Sequence, residues 1–336
     1  MKTVEFPLGV ATSIGSLPHR TAADAIDFVL TSQPGLPAAP SLPVHRPVEG
    51  MVAQGAWGIP GVEVDLAGTL RVPDPLALDP HAPLDDPGLD GPPWATLRAF
   101  LRAVAGRDGP IKLQLIGPLT LGLALVDAGV PFDLAFRVSE HAVRERAIQL
   151  LAVAAAEAPL AEPTFMLDEP GLVGGLRADV PLSADDTIDV VSSVLAVIEP
   201  NAITGIHVCG PADWRVVIQT GAQVISVPVG AALAESAGTL GGFLERGGWV
   251  AWGAVPTDGP VGETPARLWR TLSSQWCELV QEGCDPVLLR RQALVTPVCG
   301  LALHGEAQAA HALDLTRQIA ERLHDQVVGV RLSVGA

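Results

Sequence analysis

Apolar and polar positions follow a repeated order along the chain: a short apolar run, a polar turn containing Gly or Pro, then a stretch with helical spacing. The apolar runs are Leu8–Ile14, Val62–Leu66, Ile111–Ile116, Thr164–Leu167, Ile203–Val208, Val224–Val229, Trp249–Val255 and Ala293–Val298. Each has the length of a strand. Several carry β-branched residues and apolar side chains at both parities, as strands buried on both faces of a parallel sheet do. The stretches between them begin as helices begin. Ser183-x-x-Asp186 has the form of a capping box, and Ile188, Val191, Leu195 and Ile198 follow it on one face. Thr264-Pro265 supplies an N-cap and a proline at the first helical position. Trp269, Leu272, Trp276 and Leu279 then form a stripe, which Gly283 closes. Eight strands alternating with helices predict an α/β fold, a (β/α)8 TIM barrel forming a single domain over residues 1–336. A doubly wound open sheet is the alternative for the same alternation.

One region breaks the pattern. From Arg71 to Trp94 the prolines Pro73, Pro75, Pro80, Pro83, Pro87, Pro92 and Pro93 are interspersed with aspartates, which excludes a helix or a central strand. The excursion at 71–94 reads as a surface loop after the second strand. Its length also allows a lid over the barrel mouth.

Composition narrows the function. Of 336 residues, 48% are hydrophobic and 17% charged, enough apolar material for one large core. Lys+Arg number 21 against 37 Asp+Glu, a net charge of −16, which repels nucleic acid and anionic membranes alike. A membrane span needs about 20 apolar residues, and a run such as Leu150–Ala156 is stopped by Glu157 and Pro159. Glu5 and Pro7 interrupt what would be the apolar part of a signal peptide, so a soluble, cytoplasmic protein is expected. Lysine occurs only as Lys2 and Lys112, so Schiff-base chemistry would depend on Lys112. Four cysteines are too few for a disulfide scaffold and serve as packing residues or ligands.

In barrel enzymes the reactive groups stand at the carboxyl ends of the strands. Here those ends read Gly15-Ser16-Leu17-Pro18-His19, Gly117-Pro118-Leu119-Thr120, Asp168-Glu169-Pro170, His207-Val208-Cys209-Gly210 and Cys299-Gly300-Leu301. His207 and Cys209, one residue apart in an extended segment, share a face and can grip one ion. Cys299 ends the last strand, which in a closed barrel can face them. Imidazole and thiolates suit zinc, and three protein ligands leave a fourth position open, as catalytic zinc sites do. Asp168 and Glu169 are placed to hold a substrate ammonium, or form an ordinary turn before Pro170. Ser16 can orient a carboxylate or cap the next helix. His304 reads as a support for the metal or as a helix start. Cys277 and Cys284, in and just after the helix that begins at Thr264, read as structural.

The ordered set Ile14-Gly15-Ser16-Leu17-Pro18, Gly117-Pro118-Leu119-Thr120, Leu167-Asp168-Glu169-Pro170, His207-Val208-Cys209 and Val298-Cys299-Gly300-Leu301 resembles the catalytic barrel of cobalamin-independent methionine synthase. The likeness runs from about residue 8 to 305 and is to the short, single-barrel members. It implies a (β/α)8 barrel, a zinc ion on His207, Cys209 and Cys299, and a homocysteine amino-acid group held by Ser16 and Asp168, with Glu169 in support. The reaction implied is methyl transfer to a thiol, homocysteine giving methionine, from a folate or corrinoid donor. The family also has a glutamate zinc ligand at the end of the sixth strand, where Pro228 stands here. Its histidine after the seventh strand is missing from Trp252-Gly253-Ala254-Val255-Pro256-Thr257. Those two departures admit an alternative, a zinc-binding paralogue without catalysis that acts as a sensor or scaffold. A decarboxylase of the same superfamily would need arginines at the start of the chain that this sequence does not carry.

Overall fold

Seven of the eight apolar runs become strands of one sheet in the computed structural model, which describes residues 5–175 and 182–334. In chain order the strands are β1 (Val10–Ala11), β2 (Glu63–Val64), β3 (Leu70–Arg71), β4 (Gly109–Ile116), β5 (Ala161–Asp168), β6 (Ile203–His207), β7 (Val224–Pro228), β8 (Trp249–Val255) and β9 (Ala293–Pro297). Every pairing in the main sheet is parallel, and the strand order is β1-β9-β8-β7-β6-β5-β4. The helices are α1 (Ala22–Ser32), α2 (Met51–Ala56), α3 (Ala95–Ala103), α4 (Pro118–Asp127), α5 (Phe132–Glu157) and α6 (Ala184–Ile198). They continue as α7 (Trp214–Gln219), α8 (Ala237–Glu245), α9 (Pro265–Gln281), α10 (Pro286–Arg291) and α11 (Glu306–Val334). The expected capping box of Ser183 and Asp186 opens α6, and the Thr264 side chain accepts from the Arg267 N–H at the start of α9. Among the described residues, no helix is long and apolar enough to cross a membrane.

The second apolar run does not join the sheet. Val62–Leu66 alternates apolar with acidic residues, the signature of a strand with one wet face, and Leu66 is 67% exposed. Only Glu63–Val64 is extended there, paired with β3 in a two-stranded antiparallel hairpin outside the main sheet. The place between β1 and β4 is taken by the segment from Leu36 to Leu42. Ala39 N donates to Lys112 O (2.8 Å) and Lys112 N to Pro37 O (2.9 Å). On the other side Leu17 N donates to Ser41 O (2.9 Å) and Ser41 N to Gly15 O (3.2 Å). The two edges of the seven-stranded sheet thus bond to the same segment. Pro37 and Pro40 lack N–H groups, so the contact is a pair of isolated bridges and not a continuous ladder.

Side chains from β4 to β9, together with Leu36 and with Thr12 and Ile14 just beyond β1, line one small cavity, so the sheet curls around a common interior. One end of that interior is apolar. Phe6, Val10, Met166, Val224, Trp249 and Leu294 pack there as a cluster separate from the core between sheet and helices, with Phe6 edge-on to Trp249 at 5.0 Å. The same cavity is also lined by polar side chains, Thr12, Lys112, Thr164, His207, Ser226 and Thr296, all buried.

The excursion at 71–94 is a surface structure fastened to α5. Val72, Leu78, Leu84 and Leu89 are buried beneath it. Arg146 of α5, fully buried, donates to the carbonyls of Trp57 (2.7 Å), Asp85 (3.2 Å) and Asp86 (3.0 Å), and its guanidinium lies 5.2 Å from the centre of the Trp94 ring. Replacing this side chain leaves three carbonyls without their donor. Arg146→Leu should therefore destabilise the protein by on the order of 3 kcal/mol in urea unfolding. It should also make the 71–94 segment the first site cut in limited proteolysis.

Candidate metal centre

Strand register builds the site. Asp168, His207, Ser226, Ala251 and Leu294 are in-register neighbours across β5, β6, β7, β8 and β9. Neighbours in a register row share a face of the sheet, and His207, Ser226, Ala251 and Leu294 line the interior cavity. Cys209, two residues beyond His207, follows the strand alternation onto the same face. Cys299 arrives from the other side. β9 continues past Pro297 by a bond from Val298 N to Val255 O (2.8 Å), after a register shift between Gly253 and Val255. Such irregularities re-aim a strand end. Gly253 leaves the room for it, because a Cβ there would lie 3.0 Å from Val298 Cα. The result is that one donor atom each of His207, Cys209 and Cys299 lie within 4.8 Å of one another.

Neighbouring residues hold these groups in place. Leu301 N donates to Ser16 O (2.9 Å), and a Cβ on Gly300 would overlap Ser16 Oγ, so Ser16 packs directly against the turn that carries Cys299. His207 is 4% exposed, and its Nδ1 is 2.8 Å from Ser226 Oγ. Its Nε2 is buried and, among the described residues, has no hydrogen-bond partner; the same holds for Asp168 Oδ1. The two thiols influence each other. Cys299 is held well below the usual thiol range because Cys209 donates to it and His207 lies beside it, while Cys209 is pushed up as that donor and by burial. Two sulfurs and an unpaired imidazole nitrogen at this spacing form a donor set that zinc takes readily. The residues present fit the ion.

No protein-family model and no curated protein matches the chain. Solved structures do. One is a B12-independent methionine synthase from a Shewanella species in complex with selenomethionine, at a TM-score of 0.61 and 16% identity, covering 96% of this chain and 100% of that one. Another is a putative vitamin-B12 independent methionine synthase from Listeria monocytogenes, at 0.51 and 14%, covering 80% of this chain and 76% of that one. The chain has the fold of the B12-independent methionine synthases. The resemblance carried by the five strand-end motifs is thus matched by the backbone as a whole.

On that fold the other singled-out residues separate. Asp168 is half-buried at the end of β5; burial pushes its carboxyl up, while His207 and Lys112 act the other way. Lys112 lies inside the curled sheet, donating to Ile14 O (2.7 Å) and Gln114 Oε1 (3.2 Å), and burial lowers its pKa to about 8. Glu169 turns away from the thiols. Its carboxylate accepts from Leu119 N (2.9 Å), Thr120 N (2.8 Å) and Thr120 Oγ1 (2.6 Å), capping the first turn of α4, while its own N–H donates to His207 O (2.8 Å). His304 Nε2 is 3.2 Å from Thr257 O, outside the group of three. Cys284 is buried and donates to Ala237 O (3.4 Å), and Cys277 is exposed on α9. Pro228 ends β7 half-buried. Ser226, Thr12, Thr164 and Thr296 are polar groups of this interior that the sequence did not single out, and Lys112 stood out there only as a lysine open to Schiff-base chemistry. The signal for Ser226 was its position in a β-branched strand, with a hydroxyl among apolar residues.

Burial raises the Glu169 pKa from 4.5 to about 7. Across that interval the unfolded chain has released a proton that the folded protein keeps. The stability tied to this proton is complete below pH 4.5 and is lost as pH rises through 7. Glu169→Gln has no proton to lose there. Its melting temperature should lie below that of the wild type at pH 4.5, and the gap should narrow towards pH 7. A gap that widens over that interval would show the carboxylate to be ionised in the folded state throughout.

Proposed function

We propose that this chain transfers a methyl group to a thiol bound at a zinc ion, with homocysteine as the acceptor and a folate or corrinoid as donor. The observation that carries the reading is the convergence of His207, Cys209 and Cys299 at strand ends of a methionine-synthase-like fold. The seven-stranded sheet together with the segment from Leu36 to Leu42 is read as a TIM-type barrel, one domain across residues 1–336, with the three ligands at its mouth.

Zinc in this site would favour the thiolate form of the substrate sulfur, the nucleophile that methyl transfer needs, over the thiol with its ordinary pKa of about 8.5. The chain's own residues hold and orient the substrate. Asp168, next to His207 in register, receives the ammonium, and the Lys112 ammonium beneath it opposes the cost of keeping that carboxylate charged in a buried place. Ser16, packed on the Cys299 turn, receives the carboxylate. Two anchors on the amino-acid group fix where the sulfur arrives, which converts binding into positioning. Glu169 acts through the backbone, keeping the β5 end against α4 and against His207 O. With Pro228 at the end of β7, the fourth position that the resemblance gives to a glutamate would be left to water or a small molecule. Pro228 is also what favours a second reading, a zinc protein without turnover.

Purified protein should hold about one zinc per chain by elemental analysis. Cys209→Ser and Cys299→Ser should lose most of it, and Cys277→Ser and Cys284→Ser should not. X-ray absorption at the zinc edge should then gain one sulfur ligand when homocysteine is added. No gain would refute the thiol-acceptor role, and zinc binding with no turnover on folate or corrinoid donors would establish the second reading.

Asp168→Asn should raise KM for homocysteine by about 10-fold or more, as loss of a charge-assisted contact does. Zinc content and turnover of a simple thiol lacking the amino-acid group should stay unchanged. Equal losses for both thiols would mean that Asp168 serves the metal or the fold.

A further inference from the structure

His207 can present either of two nitrogens to the two cysteines, and the imidazole ring alone does not decide which. The structure decides it from behind the ring. β6 and β7 pair in parallel with Gly205 opposite Val224, Ile206 opposite Ile225 and His207 opposite Ser226. Val208 N donates to Ser226 O (3.3 Å), so the backbone on both sides of His207 is tied to the same neighbour. The Ser226 hydroxyl therefore reaches Nδ1 at 2.8 Å, with both side chains buried, at 4% and 3% exposure. Water has little access to compete for that bond, and a hydrogen bond in a low-dielectric interior is electrostatically stronger than one in water. Nε2 is left buried and unpartnered among the described residues, in the group formed with Cys209 and Cys299.

We propose that Ser226 is the positioning residue of this site: its hydroxyl holds His207 so that Nε2, and not Nδ1, faces the two thiols. The inference rests on the zinc reading above. When Nε2 gives its lone pair to a metal, the remaining ring proton sits on Nδ1, and the serine oxygen accepts it; the hydroxyl can rotate to do so. That bond fixes the tautomer and the ring angle together and makes Nε2 the better donor, which is how partners behind a ligating histidine act in metal sites generally. It also compensates for what the chain lacks. With Pro228 in place of a carboxylate ligand, the ion would depend on three protein contacts, and one of the three is aimed by Ser226.

The test compares zinc-stripped wild type with Ser226→Ala, Ser226→Thr and Ser226→Val, in competition with a chromogenic chelator. Ser226→Ala should bind zinc about 10- to 100-fold more weakly. Threonine and valine have nearly the same shape and differ by the hydroxyl, so Ser226→Thr should bind more tightly than Ser226→Val even if the alanine variant folds poorly. A second readout is the absorption spectrum of the cobalt(II)-substituted protein. Its ligand-field bands should move in the alanine and valine variants and return in the threonine variant, whereas a purely structural hydroxyl would alter melting and leave the bands in place. Equal zinc affinity and equal spectra for Ser226→Thr and Ser226→Val would overturn the proposal. Failure of the wild type itself to bind zinc is a separate result: it would remove the zinc reading first, and the role of Ser226 with it.

Discussion

Parallel hydrogen-bond register is the constraint on which everything else in this molecule depends. Once β5, β6 and β7 pair as they do, Asp168, His207 and Ser226 must stand side by side on the inner face, although they lie far apart in sequence. A slip of one residue in any of these pairings would send a side chain out to the helices, because alternate residues face opposite ways. The buried apolar residues on both faces make that slip costly. Leu167, Ile206 and Ile225 fill the outer core, while Met166 packs inward with Val224. The polar row is thus held by apolar packing above and below it in the chain, and its geometry is inherited from the sheet.

The same economy governs the loops at the mouth. Glycine stands where a side chain would push functional groups apart. Gly300 lets Ser16 lie against the turn that carries Cys299, and Gly117 lets the Glu169 carboxylate reach the N–H groups of α4, since a Cβ there would overlap Oε1. The first of these contacts joins Ser16, the proposed substrate anchor, to the turn that carries Cys299, a candidate metal ligand.

Much of this was legible in the residues. The β-branched runs, the Ser183 and Asp186 capping box, the Thr264-Pro265 helix start and the strand-end order of His207, Cys209 and Cys299 all depend on local sequence, and local physics sets them. What was not legible depends on partners remote in the chain. Ser226 acquires its role from being opposite His207, which no spacing in the sequence reveals. Glu169 reads as a group for the site, yet its carboxylate turns to α4 because three donors await it there. The second apolar run stays out of the main sheet for a simpler reason. Val62–Leu66 has the hydrophobicity of a strand but alternates, whereas the segment that bonds both sheet edges contains prolines and reads as a loop.

That proline-bearing segment bears on how the chain meets its own copies. An open sheet presents rows of unpaired N–H and C=O groups to which a second chain can add a strand, the first step of ordered aggregation. Here the margin of β4 and the chain just beyond β1 both bond to Leu36–Leu42, a stretch in which Pro37 and Pro40 offer no N–H. An irregular segment in this place offers a neighbouring chain fewer backbone donors than a regular strand would.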